Sequence, residues 1–140
     1  MKKKRLIDSY ALVAYLKKED DYQKITELLS SSQDIRSTIM NEINVGETYY
    51  IIARERGVAS ADYFIETILP NLPIHVLPNS FDHIIEAARI KAGHPISFAD
   101  CFAVATAVRE NAVILTGDPE FKKVEGMVEI EWMRKDLIKP

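Results

Sequence analysis

Apolar positions along this chain follow two alternating rhythms. Short runs at 4–7 (KRLI), 36–39 (RSTI), 74–77 (IHVL), 112–115 (AVIL) and 128–132 (VEIEW) have the length and residue types of strands. Between them lie longer segments whose apolar residues recur three and four apart, the spacing of amphipathic helices. One opens at Asp8-Ser9 and places Ala11, Leu12, Tyr15 and Leu16 on a stripe. Further helices are expected over 22–29, ending in Ser30-Ser31-Ser32, and over 41–56, stopped by Gly57. Others are expected over 61–69, closed by Pro70 and Pro73, over 80–92 before Gly93, and over 97–110. Strands alternating with helices predict an α/β protein with a mostly parallel sheet sandwiched between helices. There is no repeat, low-complexity tract or long linker, and 140 residues suit one domain spanning 1–140.

In a parallel sheet, ligand chemistry sits beyond the carboxyl ends of the strands. Asp8 follows the first strand, and Asp118 follows a later one in the run ILTGDPEF. If those strands are neighbours, the two carboxylates share one rim. Each also has a plain structural explanation. Asp8 can be a helix N-cap, and Gly-Asp-Pro is ordinary turn chemistry.

Two further acids stand where apolar residues belong. In SFADCFAVATAVRE, Asp100 is the only charged residue between Phe98 and Val108, on a helix apolar all round and therefore expected to be largely buried. An ionised carboxylate there is costly without compensation. With Ser97 as N-cap, Asp100 would instead stand at N3, where an acid completes a capping box; both readings fit the pattern. In NEINVGETYYIIARER, Glu47 has Ile43, Tyr50 and Ile51 as stripe neighbours, with Asn44 on the same face. Glu42 lies five positions away, about 140° round the helix, and is read as solvated. A surface Glu47 paired with Arg54 is the alternative.

Taken together, Asp8, Glu47, Asp100 and Asp118 fit a cluster of acids at one end of the sheet. Packed carboxylates repel unless some stay protonated or a cation joins them. An oxygen-rich site with few nitrogen or sulfur ligands suits Mg²⁺ or Mn²⁺, which activate water for phosphodiester hydrolysis. Thr116, and likewise Ser9, could orient a carboxylate or water. His75, His83 and His94 lie in separate segments without zinc-type spacing and are not expected to be ligands.

Charge refines the picture. The chain carries 18 basic and 21 acidic side chains, but without Lys2, Lys3, Lys4 and Arg5 the remainder is 14 against 21, a net of −7. Such a body argues against sequence-blind binding to duplex DNA, though not against a nucleic-acid enzyme whose acids are neutralised by metal. The opening MKKKRLIDSYALVAYL superficially suggests a signal peptide, but Asp8 interrupts it, no small-residue cleavage site follows and no run approaches a membrane span. The lone Cys101 is expected to be a buried structural thiol, consistent with a cytoplasmic protein.

The ordered set LIDSYALVAYL, NVGETYY and ISFADCFAVATAVRENAVILTGDPEF resembles PIN-domain ribonucleases, especially the small VapC-type toxins of toxin–antitoxin pairs. The resemblance runs along essentially the whole chain in order and spacing. It implies a metal-dependent endoribonuclease that holds Mg²⁺ or Mn²⁺ on its acids and hydrolyses RNA. By motif, Asp8 matches the aspartate after the first strand, and Glu47 the helical glutamate before the aromatic pair. Asp100 matches the aspartate opening the buried helix, and Asp118 the acid of T-x-D, with Thr116 as its hydroxyl partner. Glu120 stands close enough to Asp118 to share its duty. The resemblance further implies a homodimer and a cognate VapB-type antitoxin inserting into the active-site groove. Arg54, Arg56, Lys122, Lys123 and the run 2–5 are candidate phosphate contacts. Tyr49 and Tyr50 are read as core or dimer-interface residues rather than RNA contacts. Two other readings share some of these features: a receiver-like domain accepting a phosphoryl group on one aspartate, and a PIN-like scaffold without activity.

Overall fold

The computed structural model describes residues 3–19, 21–31, 35–134 and 136. Lys2 of the basic run and Ser32 of the serine run lie outside them. Strands β1 (Arg5–Ile7), β2 (Thr38–Asn41), β3 (His75–Leu77), β4 (Val113–Thr116) and β5 (Ile130–Trp132) form one sheet in the order β3-β2-β1-β4-β5. Every pairing is parallel, with Ile7 level with Leu115 across β1 and β4. Helices α1 (Ser9–Lys17) and α2 (Gln23–Ser31) connect β1 to β2, and α3 (Glu42–Arg56) and α4 (Val58–Tyr63) connect β2 to β3. The chain then crosses back past β1 through α5 (Phe81–Gly93) and α6 (Phe98–Glu110) to reach β4. Strand order thus reverses at β1, the place where α/β sheets open a crevice for chemistry.

The period-two alternation of the strands divides the core. Leu6, Ile39 and Ile114 face α5 and α6, packing with Ala87, Phe102, Val104 and Trp132. Ile7, Met40 and Leu115 face the other way, against Leu12, Ile25, Val45 and Phe64. Burial on both faces explains why these strands read as continuous apolar runs.

Among the boundaries that differ from the sequence expectation, two are informative. Where a strand was expected over 36–39, Ile35–Ser37 is a 3₁₀ turn and the strand begins at Thr38. Thr38 and Asn41, both fully buried, lie in this strand because ladder pairing, and not apolar character, sets its ends. The helix expected over 61–69 starts directly after Gly57 as α4, then widens into π-type turns over Phe64–Ile68 and tightens into a 3₁₀ turn at Leu69–Asn71. Gly57 has φ 94°, a conformation that separates α3 from α4 and that other residues adopt at a cost.

Candidate active site

The carboxyl ends of β1 and β4 deliver the first part of the site. Asp8 is the N-cap of α1, its Oδ1 accepting from Ala11 N at 2.9 Å. The capping reading is therefore correct, but it uses one oxygen only. Oδ2 accepts from Thr116 Oγ1 at 2.6 Å. The Thr116 hydroxyl in turn accepts from Asp118 N at 3.0 Å. Thr116 thus orders the carboxylate of Asp8 and the backbone of Asp118, a different pairing from the Thr116–Asp118 side-chain partnership implied by motif. Both Asp8 and Thr116 are buried, at 1% and 0% exposure.

Asp118 is half-buried, and its Oδ1 accepts from Glu120 N at 3.0 Å. It thereby caps a 3₁₀ turn over Pro119–Val124, where Gly-Asp-Pro by itself predicts only a simple turn. Glu120 itself is exposed and paired with Lys123 at 2.7 Å. Gly117, just before Asp118, is required by close approach. A Cβ built there would lie 2.5 Å from Cε1 of Tyr10, so the ring of Tyr10 sits directly on the loop that carries Asp118. Nothing in the sequence beyond the glycine itself signals this contact.

Helices α3 and α6 bring the other acids. Glu47 is half-buried and accepts from Ser9 Oγ at 2.5 Å, which ties α3 to the residue after Asp8. Glu42 is exposed and accepts weakly from Asn79 N. Asp100 opens the buried helix α6, 6% exposed, with its N–H donated to Ser97 Oγ at 3.2 Å. Ser9, Tyr10, Val13, Glu47, Ile51 and Asp118 help line a cleft of about 240 Å³.

The electrostatics are those of crowded, dry acids. Burial pushes Asp8 up to about 8, against the pull of Thr116 and the Ala11 N–H, with Asp100 and Asp118 repelling its charged form. Burial likewise raises Asp100 to about 7, reinforced by repulsion from Asp118, Glu47 and Glu120 and opposed by the Ser97 hydroxyl. Asp8 therefore feels Asp100 and Asp118, and Asp100 feels Asp118 and Glu47. These are the side chains that could hold a divalent cation. Among the described residues, no three acidic, histidine or cysteine side chains form a ready-made cage. Mg²⁺ seldom uses one: it keeps several waters and takes one or two carboxylates. A set of hard oxygen donors, of which Asp8 and Asp100 are raised in pKa by burial and repulsion, fits such an ion.

The basic candidates distribute unevenly. Lys3, Lys4 and Arg5 pair with Glu129, Glu110 and Glu131, at the end of β1 opposite Asp8. They are therefore poorly placed to hold a phosphate at the acid cluster. Lys122, Lys123, Arg54 and Arg56 are exposed, with Arg54 5.1 Å from the centre of the Tyr50 ring. Tyr50 is exposed rather than core, and Tyr49 donates to Asp62 at 2.6 Å. His83 caps α5 and His94 bonds the Ile90 carbonyl. Cys101 is buried, and burial raises its thiol pKa. No helix among the described residues is long and apolar enough to cross a membrane.

This architecture is shared with known structures. The chain is similar to the DNA-bound VapBC of Salmonella typhimurium, with TM-score 0.70, 17% identity, and coverage of 94% of this chain and 99% of that one. It is similar to VapC20 of Mycobacterium tuberculosis, described as a sarcin-ricin loop cleaving toxin, with TM-score 0.70, 17% identity, and coverage of 89% and 97%. FitAcB of Neisseria gonorrhoeae gives TM-score 0.67 and 20% identity over 90% and 95% of the two chains. These likenesses concern the fold. No curated protein sequence matches the chain. The model of the PIN domain matches residues 5–127, a span that contains all four acids and Thr116, and the chain belongs to the PIN domain family.

Proposed function

We propose that this PIN domain, spanning 1–140, is a metal-dependent endoribonuclease of the VapC toxin type. One observation carries the reading. Asp8 and Asp100, from separate segments, are buried with Asp118 and Glu47 as acidic neighbours, so dry and crowded that their pKa values rise to about 8 and about 7. A structural core gains nothing from such a cluster, whereas a cation would relieve its repulsion.

Asp8, Glu47, Asp100 and Asp118 would hold Mg²⁺ or Mn²⁺. When bound, the ion would supply a water of lowered pKa and neutralise charge on the phosphodiester. The remaining work belongs to the chain. Thr116 and the Ala11 N–H fix the two oxygens of Asp8. Ser9 fixes Glu47, and Thr116 holds the backbone that presents Asp118. Lys122 and Lys123, just beyond Asp118, are the basic side chains best placed in sequence to meet RNA phosphates. Phe121 and Val124, on either side of them, are buried in the core.

RNA as substrate is supported by the neighbour described as a sarcin-ricin loop cleaving toxin. The VapBC neighbours support a VapB-type antitoxin as cognate partner. A homodimer acting in the cytoplasm completes the proposal, on family resemblance. The receiver-like reading is disfavoured by topology, since receivers order their strands 2-1-3-4-5 and this sheet runs β3-β2-β1-β4-β5.

The deciding experiment incubates a pool of structured and single-stranded RNAs with wild-type protein and with Asp100→Asn, each with Mn²⁺, Mg²⁺ or EDTA. Cleavage by wild type alone, abolished by chelator, is expected. Full cleavage by a folded Asp100→Asn protein would overturn the proposal. Mn²⁺ binding without any cleavage would favour the inactive scaffold instead.

A further inference from the structure

Asn44 belongs to none of the roles assigned above, yet it joins the two helices that carry Glu47 and Asp100. It lies on α3 one turn before Glu47, is fully buried, and donates from Nδ2 to the Ala99 carbonyl at 3.1 Å. That carbonyl and the Asp100 N–H are the two ends of one planar peptide unit. The N–H end is held by Ser97 Oγ at 3.2 Å. The unit leading into Asp100 is therefore gripped from both sides, once from its own helix and once from α3.

The other half of the Asn44 amide is unusual. Its Oδ1 is buried with no hydrogen-bond partner among the described residues. A buried acceptor left unsatisfied costs about 1–3 kcal/mol. Flipping the amide does not help, because Oδ1 would then face the Ala99 carbonyl and the Nδ2 protons would lose their acceptor. An apolar side chain would suit this site better if packing were the only demand. A second tie runs nearby: Asn41, the N-cap of α3, donates to Thr106 Oγ1 of α6 at 2.9 Å.

Resting on the nuclease reading, we infer that Asn44 is a positioning residue, whose amide sets the spacing between Glu47 and Asp100 by locking α3 to the peptide that carries Asp100. Removing the donor leaves the fold and loosens that spacing. Residues supporting metal ligands in this indirect way typically change metal affinity or activity about 10- to 100-fold.

The test compares Asn44→Leu and Asn44→Ala with Thr48→Val, a substitution at a buried site one turn along the same helix that leaves the Ala99–Asp100 peptide untouched. Mn²⁺ affinity is read by electron paramagnetic resonance, RNA cleavage as separate kcat and KM, and folding by circular dichroism and urea titration. The expected result for Asn44→Leu is Mn²⁺ binding weakened about tenfold or more and kcat lowered with KM little changed. Stability should be equal or higher, since the orphan acceptor is gone. Thr48→Val should retain Mn²⁺ affinity and kcat. Folded Asn44 variants with wild-type affinity and kcat would overturn this inference alone. So would loss of folding in both variants, which would make Asn44 a purely structural residue. A wild-type protein that neither binds Mn²⁺ nor cleaves would bring down the nuclease reading, and this inference with it.

Discussion

Thr116 donates to Asp8 across 2.6 Å, joining side chains 108 positions apart at the ends of adjacent strands β4 and β1. The bond sits where both residues are buried, so its loss cannot be made good by bulk water. Thr116→Val keeps the shape and strips the donor, leaving Asp8 Oδ2 unpaired at a cost of about 1–3 kcal/mol. Thr116→Ser keeps the hydroxyl and loses a methyl, at about 1 kcal/mol. Urea unfolding should therefore rank wild type, Ser, Val in falling stability. RNA cleavage should persist in Ser and fall at least about tenfold in Val. Equal activity in the two variants would separate Thr116 from the chemistry.

Stability of the cation-free protein should fall as pH rises. Asp8 and Asp100 have folded pKa values of about 8 and about 7 against an ordinary 3.8, so between about pH 4 and pH 8 the native state binds more protons than the unfolded chain. Stability from these groups is greatest at the acid end of that window and is lost as pH climbs through 7 and 8. A tenfold difference in proton affinity between the folded and unfolded states is worth about 1.4 kcal/mol, which makes the loss a few kcal/mol. Urea titrations in EDTA at pH 5 and pH 8 measure it. Asp8→Asn and Asp100→Asn should each flatten the profile, and Mn²⁺ should restore wild-type stability at pH 8. A wild-type profile flat from pH 5 to pH 8 would show that these acids are neither dry nor crowded.

How much of this site could be read in the sequence depends on which residue is considered. Asp8 and Asp118 were legible because an acid closely following an apolar strand marks one rim of a parallel sheet, and Ile7 indeed lies level with Leu115. Asp100 was legible as a lone charge on a buried helix. The partner of Thr116 was not, because strand adjacency depends on long-range pairing and no local pattern states that β4 lies beside β1. Asn44 was placed on the correct face by spacing, but its acceptor is 55 residues away. The basic run near the start looked like a phosphate contact in sequence. Only the sheet places Lys3, Lys4 and Arg5 at the far end, engaged with acids of their own.

Gly117→Ala should move Asp118 without touching any acid. The added Cβ would meet the Tyr10 ring at 2.5 Å, closer than packed carbons tolerate, so ring or loop must shift. Overpacking of this kind costs about 1–3 kcal/mol. Trimming the ring in Tyr10→Leu/Gly117→Ala should recover part of that loss, giving a favourable coupling energy in a double-mutant cycle. Cleavage should fall in Gly117→Ala and recover in part in the double variant. Strictly additive stabilities would mean that ring and loop do not press on each other.

A single pair of substitutions can separate the cap that Asp118 forms from the cation-site role proposed for it. Its Oδ1 caps the turn after β4 by accepting from Glu120 N at 3.0 Å, a role that an asparagine oxygen performs equally well. Its charge is a different matter, because among its neighbours Asp118 contributes the strongest repulsion on Asp100. Asp118→Asn should keep the cap and hence the stability, while lowering the pKa of Asp100 and abolishing metal-dependent cleavage. Asp118→Ala should lose the cap as well, with about 0.5–2 kcal/mol of stability. A pH titration of the Asp100 carboxyl by NMR, set beside cleavage assays of both variants, checks each part. If Asp118→Asn cleaves RNA as wild type does and only Asp118→Ala is impaired, Gly-Asp-Pro is a turn and nothing more, and the cation site must be built from the other three acids.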